Sequence, residues 1–157
     1  MKELFQLLKK KKYTIASCES LTAGLFCSRM AEIPHVSAVL KGGIVTYWTE
    51  IKENVAQVSH ETTQRYGVVS IQTAIEMAKN IQRIFETDVA VSFTGNAGPA
   101  VLEDKPAGMV YTAICVKNRI YGFCDIIEAS RNEVREEIVA RTVERIKDIL
   151  GKERYFR

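Results

Sequence analysis

The sequence contains no apolar run approaching the roughly 20 residues needed to cross a bilayer. It has only 9 glycines and 3 prolines in 157 residues, and almost no net charge. The first absence excludes a spanning helix, and the second excludes collagen-like or Pro/Gly-rich disordered character. Lys and Arg number 22 against 19 Asp and Glu, a net charge of +3. That excess is too slight for a nucleic-acid partner, and no basic, aromatic-rich surface signal accompanies it. Metal-ligand spacing is missing as well. Cys18 and Cys27 are separated as widely as Cys115 and Cys124, neither pair is CxxC, and His35 and His60 have no close cysteine partner. No metal and no cofactor is expected, and the thiols read as reduced core residues. The N-terminus MKELFQLLKKKKY is basic, but its apolar stretch from Leu4 to Leu8 is too short for a signal-peptide core.

What is present suits one globular domain over residues 1–157. Hydrophobic residues make up 46% and charged residues 26%, enough to build and solubilise a single core. The expectation is a cytoplasmic chain with no membrane association.

Hydrophobic periodicity predicts a helix over Lys2 to Lys11, closed by four lysines that are either a solvated last turn or a phosphate-binding patch. A strand follows over Tyr13 to Cys18, then a helix beginning near Thr22 and stopped by Pro34. A second strand from Val39 to Trp48 leads to a helix from Glu50 to Gln57 that Thr49 can N-cap. A short helix, His60 to Tyr66, ends at Gly67. Ser70 caps a longer one whose apolar residues Ile71, Ala74, Ile75, Ala78, Ile81 and Phe85 repeat at i, i+3, i+4. Asp88 to Phe93 reads as a buried strand, and Thr94 opens a loop reaching Pro106. Gly108 to Val116 and Ile120 to Ile127 form a hairpin. The last helix begins after Ser130 and ends at Gly151. This order predicts a three-layer α/β/α sandwich with a mixed β-sheet.

Ligands of such sheets sit beyond the strand ends, at strand-to-helix turns. Three turns here are rich in small, polar or glycine residues: Glu19 to Gly24, Tyr47 to Lys52, and Thr94 to Gly98. Ser20, between strand and helix, is either a cap or a nucleophile facing free backbone N–H groups. Lys52, in the first turn of its helix, is either an exposed partner of Glu50 or Glu53 or a desolvated amine serving as base to a serine. Tyr47 can donate a proton or simply edge the sheet. The Thr94 loop can turn N–H groups inward as an anion nest, and Arg131 is either solvated or a phosphate clamp.

Several motifs then resemble one family in order and spacing. Glu19-Ser20-Leu21-Thr22-Ala23-Gly24 is similar to the ESxTGG motif of the CinA C-terminal domain family, the nicotinamide-nucleotide amidases. Gly42-Gly43-Ile44-Val45-Thr46-Tyr47 with Lys52 resembles its GGxxxY…K segment, and Tyr66 to Ser70 its HGAVS element. Thr94 to Pro99, with Lys105-Pro106 and Gly108, resembles TGIAGP…KPVG, and Arg131 falls at the GDR element. The resemblance covers about Lys2 to Leu150. It implies hydrolysis of the carboxamide of nicotinamide mononucleotide to nicotinate mononucleotide and ammonia. Ser20 would be the nucleophile, Lys52 the base, Tyr47 an assisting group, and Thr94 part of the same centre. The substrate-binding set it implies is Glu19, Thr22, Gly24, Gly42, Gly43, Gly95, Asn96, Ala97, Gly98, Lys105 and Arg131. It implies a small-molecule pyridine nucleotide as the partner, a homo-oligomer, and the standalone form of the domain.

The departures are specific. Ala23 replaces a glycine where φ > 0 would be costly, and Thr49 stands where the family has Asn. Asn96 replaces an apolar residue. Ala100-Val101-Leu102 replaces a glycine-rich stretch in a loop one residue shorter, which stiffens it. Ala-Ser-Arg replaces GDR. These changes motivate an alternative from another class, a nucleotide-binding or regulatory module of the competence/damage-inducible type.

Overall fold

The computed structural model describes residues 1–153. Five strands, β1 (Ile15–Glu19), β2 (Leu40–Val45), β3 (Val89–Gly95), β4 (Met109–Val116) and β5 (Arg119–Ile126), alternate with six helices: α1 (Lys2–Lys11), α2 (Leu25–Ala31), α3 (Thr49–Asn54), α4 (His60–Tyr66), α5 (Ile71–Phe85) and α6 (Arg131–Lys152). A 3-10 turn, Val36–Ala38, precedes β2. The sheet order is β2-β1-β3-β4-β5. β1 pairs parallel with β2 and β3, whereas β3–β4 and β4–β5 are antiparallel. The mixed sheet and the element order are those the sequence predicts.

Strand alternation explains the layers. On one face of the sheet Ile15, Val89, Val91, Phe93, Val110 and Ile114 are buried with α1, α2 and α6. Here Phe26 of α2 meets Phe93 at a ring-centroid distance of 5.9 Å, within the preferred range for tilted aromatic pairs. On the other face the sheet presents small residues, Ala16, Cys18, Ala90, Ala113 and Cys115, to Ala74, Met77, Ala78 and Ile81 of α5. Alanine on both sides lets α5 lie close, and the Ser92 hydroxyl donates to the Ala74 carbonyl at 2.6 Å.

Element boundaries differ from expectation where backbone conformation intervenes. α2 starts at Leu25 rather than Thr22, because Ala23 and Gly24 take positive φ of 47° and 92°. Trp48, not Thr49, is the N-cap of α3, with no side-chain cap bond. α4 stops at Gly67 with φ 79° and ψ 172°, which is not the left-handed helical conformation. α6 runs through Gly151 to Lys152 instead of ending there. The Ser70 cap is formed, accepting from the Thr73 N–H at 3.2 Å. Cys18 and Cys115 are buried free thiols, but Cys124 is exposed on β5 rather than in the core. Among the described residues no helix is long and apolar enough to cross a membrane.

Candidate active site

The parallel trio β2-β1-β3 brings the carboxyl ends of three strands side by side. Thr46 to Trp48, Ser20 and Thr94–Gly95 therefore converge although they are far apart in sequence. The ladders continue past the strand ends on both sides of Ser20: its N–H donates to the Phe93 carbonyl at 2.9 Å, and the Thr46 N–H donates to the Glu19 carbonyl at 2.9 Å. These bonds hold Ser20 in place before any side chain is considered. A cleft of about 750 Å³ opens over it, lined by Ser20, Tyr47, Lys52, Thr94 and Arg131 among others.

Lys52 is 1% exposed. Its ammonium donates to Ser20 Oγ at 3.0 Å, to the Thr46 carbonyl at 2.6 Å and to the Tyr47 carbonyl at 3.2 Å. None of these acceptors carries a charge. Burial pushes the Lys52 pKa down from 10.5 to about 8, with Cys18 and then Glu103 pulling it partly back up. Loss of one proton leaves two N–H groups for the two carbonyls and a lone pair facing the Ser20 hydroxyl. The site therefore holds a primary amine in the orientation required to accept a proton from Ser20.

Tyr47 and Arg131 form the outer wall. Arg131 donates to the Tyr47 hydroxyl and to the Gly98 carbonyl, each at 2.8 Å. The Tyr47 hydroxyl is thus turned to the guanidinium, and it is the residue's carbonyl that contacts the amine. Thr94 is 1% exposed and donates its hydroxyl to the Val68 carbonyl at 2.7 Å. Its oxygen lone pairs remain available, but its proton does not. The backbone N–H groups of Leu21 and Ala97 belong to cleft-lining residues and donate to no acceptor among the described residues. They are two of the free backbone donors from which an oxyanion site can be made.

Gly95, Asn96 and Ala97 also line the cleft. The Asn96 side chain is a staple: its amide donates to the Leu102 and Lys105 carbonyls at 3.1 and 3.2 Å, and its oxygen accepts from the Leu102 N–H at 3.0 Å. A polar residue at this point closes a loop that glycines would leave loose, and it carries Ala100, Val101 and Leu102 to the cleft wall.

Other residues expected to bind substrate do not line the cleft. Glu19 is 1% exposed and caps α2 from within, accepting from the Phe26 N–H at 2.9 Å, the Cys27 N–H at 3.2 Å and the Ser17 hydroxyl at 2.8 Å. The helix N-terminus that seemed open to an anion is thus occupied by the protein's own carboxylate. Thr22 is fully buried, and Gly24 is the positive-φ N-cap of α2. Gly42 and Gly43 lie within β2, where a Cβ would strike Phe85 or the Ser17 and Cys27 side chains. They permit strand and helix packing. Gly98 offers its carbonyl to Arg131, and Lys105 reaches back to the Val69 carbonyl and to Glu103.

Sequence reasoning singled out the Tyr47 to Lys52 turn, but not Glu53 or the α4 residues, as lining of the cleft. Trp48, Glu50 and Glu53 line the cleft from the start of α3, and His60 and Gln64 from α4. Trp48, adjacent to Tyr47, was the one signal available. Glu103 also went unnoticed: its carboxylate accepts from the Val68 and Val69 N–H groups at 2.7 and 3.0 Å. It joins the 96–106 loop to the segment between α4 and α5. Among the described residues no cluster of His, Cys, Asp or Glu could hold a metal ion.

Comparison with known proteins identifies the family and the fold. A family model for the CinA C-terminal domain matches residues 1–150. The chain is 41% identical over 145 residues to a protein of Listeria welshimeri provisionally named competence-damage inducible protein, covering 92% of this chain and 35% of that protein. A protein of the same name from Limosilactobacillus reuteri is 42% identical over 118 residues, covering 75% of this chain and 28% of that protein. The chain thus spans about a third of the length of the curated relatives it matches. Among solved structures, a competence-damaged protein (CinA) superfamily protein from Klebsiella pneumoniae superposes with TM-score 0.92 at 26% identity, over 96% of this chain and 97% of that one. The competence/damage inducible protein CihA from Agrobacterium tumefaciens gives TM-score 0.86 at 30% identity, covering 95% and 94%.

Proposed function

The chain belongs to the CinA C-terminal domain family, and from that membership and the cleft geometry we propose that it is an amidohydrolase converting nicotinamide mononucleotide to nicotinate mononucleotide and ammonia. The observation that carries this reading is the 3.0 Å hydrogen bond between Lys52 Nζ and Ser20 Oγ, the amine being buried with no carboxylate among its hydrogen-bond partners. Ser20 Oγ bonds to the carboxamide carbon as its proton passes to the neutral Lys52 amine. The tetrahedral oxyanion is held by the unused N–H groups of Leu21 and Ala97. Its collapse breaks the C–N bond, and the nitrogen leaves as ammonia with the proton Lys52 had taken. Water then attacks the Ser20 ester and gives one proton to Lys52, which passes it to Ser20 Oγ as the ester C–O bond breaks, and the released carboxylic acid ionises to the carboxylate by losing its proton to solvent. Arg131, which has no carboxylate partner among the described residues, receives the phosphate.

Ammonia release from the mononucleotide by the purified chain tests this. Turnover by the native protein, with a loss of about 10³-fold or more in Ser20→Ala, is the expected result. No turnover by the native chain, or undiminished turnover by the variant, overturns it. The stapled loop, with Ala100-Val101-Leu102 in place of a glycine-rich stretch, favours a second reading, a nucleotide-binding or regulatory module, which calorimetric binding without hydrolysis would support. A cytoplasmic homo-oligomer is the companion proposal, checked by a sizing measurement.

A further inference from the structure

The two walls of the cleft differ in electrical character. Arg131 stands on one, bound to a carbonyl and a phenol oxygen. The other is the start of α3, where Trp48, Glu50 and Glu53 face the cavity. Trp48 is 67% exposed, more than any other large hydrophobic residue described. Its backbone is fixed, because its carbonyl accepts from the Ile51 and Lys52 N–H groups, both at 3.1 Å. The indole therefore projects from the same short turn that delivers the amine. Val101 and Leu102, 44% and 58% exposed, line the same cavity from the 96–106 loop.

An indole face is the most attractive aromatic surface for a cation, and carboxylates beside it add to the same field. The positive end of Lys52 is turned inward to Ser20, Thr46 and Tyr47, so it does not cancel that field at the mouth. We propose that the α3 wall is a specificity site for a flat, positively charged ring. Trp48 stacks on one face of that ring, Val101 and Leu102 cover its rim, and Glu50 supplies the negative field together with Glu53, whose carboxylate also holds the Thr63 hydroxyl and the His60 ring. Arg131 takes an anionic group borne by the same molecule. This rests on the amidase reading and deepens it: an N-ribosylated pyridinium carboxamide carries a ring cation and a phosphate at opposite ends, and neutral ring amides do not.

Trp48 is the sole tryptophan, so its emission reports directly on this site. The full chain carrying Ser20→Ala, which prevents turnover, is titrated with nicotinamide mononucleotide and with its reduced dihydropyridine form. The two share the carboxamide, ribose and phosphate, but the reduced ring is uncharged. Calorimetry is expected to give about tenfold tighter binding of the oxidised form, the span of a cation–π contact partly removed from water. Quenching of Trp48 emission should saturate at the same concentration. Trp48→Leu in this background is expected to bring the two affinities within about threefold, and Trp48→Phe to keep part of the preference. In otherwise native protein, Trp48→Leu should raise KM about tenfold and change kcat by less than about threefold, as expected for a binding contact.

Equal affinity for the two forms, or saturable calorimetric binding that leaves Trp48 emission unchanged, overturns the ring site. Preference for the charged ring without ammonia release by the native chain removes the amidase reading and leaves the ring site standing. Absence of binding by both forms overturns the ring site, whatever the ammonia assay gives.

Discussion

Lys52 has three hydrogen-bond acceptors and no carboxylate among them. Its burial is therefore only partly compensated, by Cys18 and Glu103 acting without a hydrogen bond, and this is why its pKa falls to about 8. If the neutral amine is the reactive form, kcat/KM should climb about tenfold per pH unit below that value and level off above it. A profile flat from pH 6 to 9 would exclude Lys52 as the base. Lys52→Arg, permanently protonated, is expected to lower kcat by about 10²–10⁴-fold even though positive charge is retained. Ser20, Tyr47 and Lys52 were legible from the motifs that contain them. That Tyr47 touches Lys52 through its carbonyl, with its hydroxyl directed to Arg131, was not, because the local turn decides which end of a residue faces inward.

At the level of single elements, the β1–α2 turn shows how a departure from a motif becomes a measurable cost. Ala23 sits at φ 47°, where its Cβ crowds the backbone and a glycine would not. Ala23→Gly is expected to stabilise the fold by about 1 kcal/mol, read by urea denaturation. The same turn depends on Glu19, which terminates the free end of α2 with two backbone bonds. Glu19→Gln keeps the shape but removes the charge from both, and should cost about 2–3 kcal/mol. It should also lower turnover, because Ser20 is the next residue.

Glycine placement shows where sequence reading stops. Gly42 and Gly43 look like ligand-binding positions beside a motif tyrosine, yet packing across the sheet requires them: a Cβ at Gly43 would lie 2.5 Å from Ser17 Oγ and 2.6 Å from Cys27 Sγ. That contact joins β2 to β1 and α2, and no local pattern encodes it. Gly151 is the reverse case. It looks like a terminator, but α6 continues because a solvent-facing glycine with nothing within 4 Å weakens a helix without stopping it. Helices with strong periodicity, such as α1 and α5, were read to the residue, since their apolar stripes are local information.

Across the whole molecule, element order and hydrophobic alternation sufficed to predict a mixed sheet between two helical layers, whereas the α3–α4 wall of the cleft depended on how distant segments meet. Stability carries the imprint of the same cleft. The unfolded chain holds the Lys52 proton up to about pH 10.4, while the folded chain releases it near pH 8. Between these values the unfolded state binds more protons, so stability rises with pH. Relative to Lys52→Met, the native chain is expected to gain about 3 kcal/mol from below pH 8 to pH 10.5. Denaturant midpoints of both proteins at the two pH values check this, and parallel behaviour would show that burial of the charge costs nothing.

Glu103 and Gly67 have a consequence for anyone exchanging parts between relatives. The carboxylate occupies the space a side chain at position 67 would need while covering two amides beyond it. The loop and the inter-helix segment are in effect a mortise and tenon cut from distant stretches of one polypeptide. A chimera that imports a new loop without an acid at 103, or a bulkier residue at 67 without a new loop, opens that joint. The Val68 carbonyl on which Thr94 leans would then shift, and the cleft would lose its floor with Ser20, Lys52 and Thr94 themselves unchanged.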